Sequence, residues 1–343
     1  MESHVVSNIV VAALLAGMAW AAWLARRSDL WRDAARGLRR RRPVALLVVG
    51  IYVVVGLADA VSWVGGFGES LGADIVARHK PRSLIDRLFP VDFRERSYSA
   101  PLADVEFYGE APLQHPGAHL LGTDILGRDI LHLVLKGARI ALLIGGLTSL
   151  IVIPLALLFG ISAGYFGGRI DDVVFFVMST LASIPGLLLL IALVMVMGRG
   201  PVQVCVAMGV TSWVGFCRVV RGETFKLREL DYVQAARALG TSELRIILRH
   251  ILPNLMHLVI ITFVLLFSGL VLSEAILAWL GIGIDGSWGQ MIDQARDELA
   301  RDPIIWWNLS AASAALFGLI LAVNLVGDAV RDVLDPRTLR ERP

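Results

Sequence analysis

The chain is short of charge, of cysteine and of nucleotide-binding signature, and each shortage excludes something. Only 18% of its 343 residues are Asp, Glu, Lys or Arg, against 56% hydrophobic. The mean hydropathy is +0.68. A soluble domain of this length does not need so much apolar surface, and several runs near or above 18 apolar residues point to a membrane protein. Cysteine occurs twice, as Cys205 and Cys217, both in or beside apolar runs. That excludes a disulfide framework, and no Cys/His spacing suggests zinc, so the two read as buried thiols and no metal is expected. No Gly-x-x-x-x-Gly-Lys-Ser/Thr loop is present, so the chain is not its own ATP motor and is not read as an enzyme. The net charge is +2. Its arginines gather between apolar runs, so they speak of topology and not of nucleic-acid binding.

What is present is a series of apolar runs separated by charged linkers. Residues 9–24 are just long enough to span, and read as a retained anchor or as a signal peptide. Residues 26–42 carry eight arginines against Asp29 and Asp33, which places them in the cytoplasm by the positive-inside rule. Core spans are expected at 43–63, 141–160 (with a bend at Pro154), 173–197, 202–220, 255–282 and a last run ending near 326. The span 173–197 is interrupted by Ile184, Pro185 and Gly186; such a break either lines a cavity or is a structural kink. Glu274 is a carboxylate within an apolar run, so it faces the bundle, a wet pathway or the interface. Trp306 and Trp307 fit an interfacial belt.

This gives a five-part organisation: 1–42 as extra anchor and Arg-rich linker, 43–64 as first core span, 65–135 as an external loop region, 136–330 as a five-span core, and 331–343 as a cytoplasmic tail. The expected fold is an all-α polytopic membrane protein with six core spans plus one at the N-terminus. Both ends of the core fall on the cytoplasmic side of the cell membrane.

Within the core, residues 221–254 form the one long polar insert. Residues 218–249 hold seven basic residues against four acids, again a cytoplasmic bias. Asp231 is placed to cap a short helix, with Gln234 three residues on in a capping-box position. Gly240 ends that helix, and Thr241 or Ser242 caps the next. Leu244, Ile247, Leu248, Ile251 and Leu252 then share one face, and Pro253 discourages further helix in the same line. The pattern predicts two short helices with a fixed elbow, either an ordinary amphipathic pair or a plug for a cleft on another protein.

Gln234, Ala235, Ala236 and Gly240, followed by His250, Ile251, Leu252 and Pro253, resemble the coupling loop of ATP-driven, binding-protein-dependent importer permeases, with Gln where that family has Glu. A second stretch is similar to the segment before the second core span of dipeptide and oligopeptide permeases. It runs from His119 through Gly122, Thr123, Asp124, Gly127, Arg128 and Asp129. Asp171 after the Gly-Gly turn and the stretch Ser287, Trp288, Gly289, Met291 match as well, whereas Phe176 and Ser179 depart from the pattern. The resemblance covers roughly residues 40–340.

It implies the type I ABC importer fold and a permease subunit that pairs with a related but distinct permease. It also implies two ABC ATPase subunits, which carry the ATP and Mg²⁺, and an extracytoplasmic solute-binding protein. No cofactor is implied on this chain itself. Asp231, Gln234, Ala235, Ala236, Arg237, Gly240, Arg245, Arg249, His250, Leu252 and Pro253 would couple to the ATPase. The Gly122–Asp129 stretch would be structural at the outer rim, and Pro185 and Glu274 would belong to the pathway or the bundle. Dipeptides or oligopeptides are the implied cargo, with nickel complexes or modified peptides as the alternative. An ion-coupled carrier or a membrane scaffold is the reading from another class.

Overall fold

The computed structural model describes residues 42–63, 82–89, 93–109 and 111–334. The expected anchor at 9–24, nearly all of the Arg-rich linker, and the tail from 335 on lie outside the described residues. The chain divides into two compact units. One comprises residues 1–142 and 278–329, the other residues 143–277 and 330–343.

In the first unit, α1 (Pro43–Ala60) starts with Pro at its first helical position, where a missing N–H costs nothing. A two-residue antiparallel pair follows, β1 (Ser62–Trp63) with β2 (Arg82–Ser83). Ser83 then caps the short α2 (Leu84–Leu88) through a capping box with Asp86. Asp86 also receives Lys136 Nζ at 2.6 Å and faces His132 Nε2 at 3.0 Å. Burial alone would raise its carboxyl, but these partners hold it well below the usual carboxylate range. Residues 93–109 and 111–129 are irregular backbone with two isolated bridges, Val105 to Pro112 and Thr123 to Asp129. However, α3 (Ile130–Phe166) begins well before 141 and runs unbroken through Pro154. At 37 residues it is about 55 Å long, more than the roughly 30 Å of a hydrocarbon core. The acidic stretch after residue 285 holds α10 (Trp288–Leu299), capped by the Ser287 hydroxyl.

In the second unit, α3 continues to Phe166. It is followed by α4 (Gly168–Ser183), α5 (Gly186–Met197), α6 (Pro201–Arg228), α7 (Asp231–Ala238), α8 (Glu243–Ile246), a π turn (Ile247–Ile251) and α9 (Leu252–Trp279). The last helix, α11 (Trp307–Leu334), has residues in both units. The interruption expected at 184–186 is real: α4 and α5 meet at 89°. Gly160 and Gly164 let α3 approach α6 closely. A Cβ on either would stand 2.7 Å from Val220 or Thr224 side-chain carbons. Four-residue spacing of small residues is what such contact needs where lipid gives no hydrophobic drive between helices. Around this contact Val152, Ala156, Ala163, Cys217, Val220, Val233, Ile246 and Ile251 form the core.

Five helices among the described residues are long and apolar enough to cross a membrane, or six if the bent α4–α5 pair counts as one span. Cys205 and Cys217 are both buried free thiols.

Candidate functional site

The polar insert is built on a pair of fixed helices. Arg221 on α6 makes a two-pronged pair with Asp171 on α4; its Nη2 lies 2.7 Å from Oδ2 and its Nε also donates to Oδ1. Arg228, at the end of α6, donates to the Gly164 carbonyl at 3.0 Å. Helix α7 leaves this frame with Leu230, not Asp231, as its N-cap residue. The expected capping box is therefore absent. Asp231 sits at the first helical position, where its charge still favours the helix dipole. Gln234 turns its amide to the Arg228 carbonyl at 2.9 Å. Val233 is fully buried and anchors the helix. Ala236 packs on the core, while Ala235 is exposed.

The elbow follows from backbone accounting. At the end of α7, Gly240 N donates to the Arg237 carbonyl at 3.0 Å and Thr241 N to the Ala236 carbonyl at 3.1 Å. This crossed pair satisfies two of the carbonyls a helix end leaves orphaned, and it requires the residue after the cap to adopt the left-handed conformation. Gly240 does so, at φ +76°. Ser242 occupies the next N-cap position without a side-chain cap bond.

Beyond the elbow the structure corrects the expected face. Ile246 and Ile251 are fully buried, and Ile247 and Leu252 pack against the same core. Leu244 and Leu248 instead point out, 66% and 54% exposed, and Leu239 at the elbow is 86% exposed. The reason is the π turn at Ile247–Ile251, where Leu252 N bonds back to the Ile247 carbonyl five residues earlier. One extra residue per turn rotates the register away from a 3.6 period. The same turn corrects the reading of Pro253. Pro253 is the second residue of α9, and the helix continues past it, because the widened turn relieves the clash and the missing N–H that a proline brings.

Two side chains tie the elbow down. The Tyr165 hydroxyl at the end of α3 donates to the Glu243 carboxylate. Arg237 lies over the Tyr165 ring at 5.2 Å and 3.7 Å from Glu243. Tyr232 packs against His250 and accepts from Asn254 Nδ2 at 3.2 Å. Arg245 and Arg249 are exposed and make no ion pair among the described residues. Tyr165 was not found from the sequence, since one aromatic at the end of an apolar run carries no signal. Elsewhere in this unit, Glu274 is buried on α9, and Pro185 is exposed at the α4–α5 break.

The first unit holds the other motif. Asp124 is fully buried; its carboxylate accepts from Leu126 N and Arg128 N at 2.9 and 2.8 Å and from Arg128 Nε at 2.8 Å. Asp129 accepts from Leu131 N at 2.7 Å, at the start of α3. Thr123 Oγ1 accepts from Ser99 N and donates to the Ser97 carbonyl. Gly122 and Gly127 both have positive φ. Trp307, read as an interfacial tryptophan, is 3% exposed, and its indole N–H donates to the Thr123 carbonyl at 3.0 Å. A buried indole needs such an acceptor, and here that need outweighs the interface preference. Trp306 remains exposed.

Residues 156–340 match the family described as the binding-protein-dependent transport system inner membrane component. An oligopeptide transport system permease protein, OppC, from Haemophilus influenzae is 30% identical over 90% of this chain and 89% of its own length. A glutathione transport system permease protein, GsiD, from Pectobacterium atrosepticum is 37% identical over 64% of this chain and 73% of its own. A dipeptide transport system permease protein, DppC, from Bacillus subtilis is 36% identical over 65% and 70%. Among solved structures, an inward-facing MetNI methionine ABC transporter aligns with TM-score 0.49 and 19% identity over 60% of this chain and 98% of that one.

The chain is thus a multi-pass, all-α component of the inner membrane. It belongs to the family of binding-protein-dependent transport permeases, whose role is to form a membrane pathway and not to hydrolyse ATP.

Proposed function

We propose that this chain is the second permease of a heterodimeric, ATP-driven importer of dipeptides or oligopeptides, with residues 231–253 as the lever on which a partner ATPase pulls. The observation that carries this reading is the exposed elbow. Leu239, Leu244 and Leu248 stand out beside Arg245 and Arg249, while Val233, Ile246 and Ile251 of the same stretch are wholly buried. Burying one such leucine in a cleft stabilises the contact by about 1.5–3 kcal/mol. A segment with one face in the core and the other offered outward transmits a push as a rigid body.

In this reading the fold is six core spans of type I importer form, with an extra span at the N-terminus and the core ends in the cytoplasm. ATP and Mg²⁺ bind on two ATPase subunits. Their closure drives the elbow, and the elbow, through Tyr165 and the Asp171–Arg221 pair, turns the core helices about a central path. The Gly122–Asp129 turn frames the extracytoplasmic rim where a solute-binding protein delivers cargo. Glu274 and Pro185 belong to the bundle or the path. The relatives named for peptide, dipeptide and glutathione transport support a small-peptide cargo over nickel complexes.

Proteoliposomes containing this chain, its sister permease, the ATPases and the binding protein test the proposal. Dipeptide or oligopeptide uptake that needs ATP and all subunits is expected. Uptake driven by an ion gradient without the ATPases would overturn it.

A further inference from the structure

In the first unit, three side chains from separate points of the irregular segment converge: Glu95, His115 and His119, with one ligand-type atom of each within 4.8 Å of the others. His115 Nδ1 and His119 Nε2 each stand 3.5 Å from Glu95 Oε1. Both nitrogens are buried and neither makes a hydrogen bond. The His119 side chain is 1% exposed and that of Glu95 2%. Two buried imidazole nitrogens that approach one carboxylate oxygen without a hydrogen bond are an expensive arrangement unless something is to be bound between them.

The surroundings prepare the three atoms for that role. Asp129 Oδ2 lies 2.8 Å from His119 Nδ1. In a neutral ring this puts the proton on Nδ1 and the free lone pair on Nε2, the nitrogen that faces Glu95. Glu95 is itself fixed, Oε1 by His115 N at 2.8 Å and Oε2 by Gln114 N at 2.9 Å. The Phe93 ring lies about 5 Å from both imidazoles and walls off one side.

We infer that Glu95, His115 and His119 form a binding site for a divalent transition metal of the zinc class, with Asp129 as the carboxylate that orients His119. Tetrahedral zinc with ligands near 2.0–2.1 Å sets its ligand atoms roughly 3.3 Å apart. The two 3.5 Å separations fit such edges, and all three atoms lie within 4.8 Å of one another. Two imidazoles and a carboxylate suit zinc better than calcium or magnesium, which prefer all-oxygen sets. The ion would staple the backbone at Glu95 to the segment 115–119, leaving a fourth position for water or another donor. His115 and His119 share the His-x-x-x-His spacing that zinc sites use, a pair too common to signal a site alone; the fold adds Glu95, twenty residues before His115. This site stands independently of the proposed cargo and of the coupling loop.

The test is metal analysis of the full-length protein, with its partner subunits, purified in detergent without a polyhistidine tag. After equilibration with micromolar zinc and desalting, about one equivalent of zinc per chain is expected. His115→Ala and Glu95→Gln should lose it while eluting as folded protein, and Asp129→Asn should weaken affinity by about tenfold to a hundredfold. Cobalt substituted into the unmodified protein should give the intense visible bands of a tetrahedral site, a readout that does not depend on the variants folding. Absence of bound zinc and of those bands in the unmodified protein, or equal zinc in His115→Ala, overturns the inference.

Discussion

The Tyr165 hydroxyl donates to the Glu243 carboxylate, so the last turn of α3 is held to the first turn beyond the Gly240 elbow. Arg237 completes the contact, stacked on the Tyr165 ring at 5.2 Å. Tyr165→Phe keeps the ring and deletes the donor. We expect it to cost about 0.5–1.5 kcal/mol, as for one hydrogen bond. It should also lower uptake per ATP hydrolysed, because the lever gains play. Thermal unfolding in detergent and paired uptake and hydrolysis assays measure the two effects; unchanged coupling would remove Tyr165 from the lever.

Gly240 and Gly127 share a left-handed backbone but differ in surroundings, and their variants should differ accordingly. A Cβ on Gly240 meets nothing within 4 Å, whereas on Gly127 it would stand 1.9 Å from the Glu95 carbonyl oxygen. Gly240→Val should therefore bear only backbone strain, in the range of 1–2 kcal/mol upward, and still reach the membrane. A transporter assembled with this variant and the partner ATPases should hydrolyse ATP with little transport. Gly127→Ala should fail to accumulate as folded protein, since backbone must move. Membrane-fraction yield separates the two, and equal yields would contradict the reading.

Leu239 is 86% exposed, so its replacement should be nearly silent in the isolated chain. Leu239→Asp is expected to change stability by no more than about 0.5 kcal/mol. Co-purification with the ATPase should nevertheless fall sharply, because a charge enters a contact that excludes water. Retention of the ATPase at normal levels would argue that the elbow docks elsewhere.

Glu298 is buried, with Asn308 Nδ2 at 2.9 Å and Gln294 Nε2 at 3.1 Å from its carboxylate. Burial, the largest influence, raises its carboxyl above the ordinary value despite these donors. A carboxyl raised in the folded state binds more protons there than in the unfolded chain. Stability should thus fall as pH climbs from about 4.3 through the raised value. Glu298→Gln should flatten that slope and match or exceed the unmodified protein at neutral pH. Thermal melts across that interval are the measurement, and an unchanged slope would locate the titration in another group.

The elements legible in the sequence were those set by local chemistry. Apolar length announced the spans, Pro185 announced the break between α4 and α5, and Gly240 announced the elbow, since few residues other than glycine tolerate its φ. The face beyond the elbow was misread because periodicity assumes 3.6 residues per turn, and the π turn before Pro253 adds one. Trp307 was misread for a different reason. An indole beside another tryptophan near a span looks interfacial until a carbonyl from a distant segment, that of Thr123, is found to accept from it.

By itself the sequence determined where the chain is apolar enough to enter a membrane, which linkers carry positive charge, and where the backbone must turn. Those follow from the side chains and their immediate neighbours. Only the tertiary structure decided which leucines of the polar insert point outward, that Tyr165 meets Glu243, and that Glu95, His115 and His119 share one small volume. Such pairings depend on how irregular backbone and long helices bring residues together across tens of positions, and no local pattern encodes that distance.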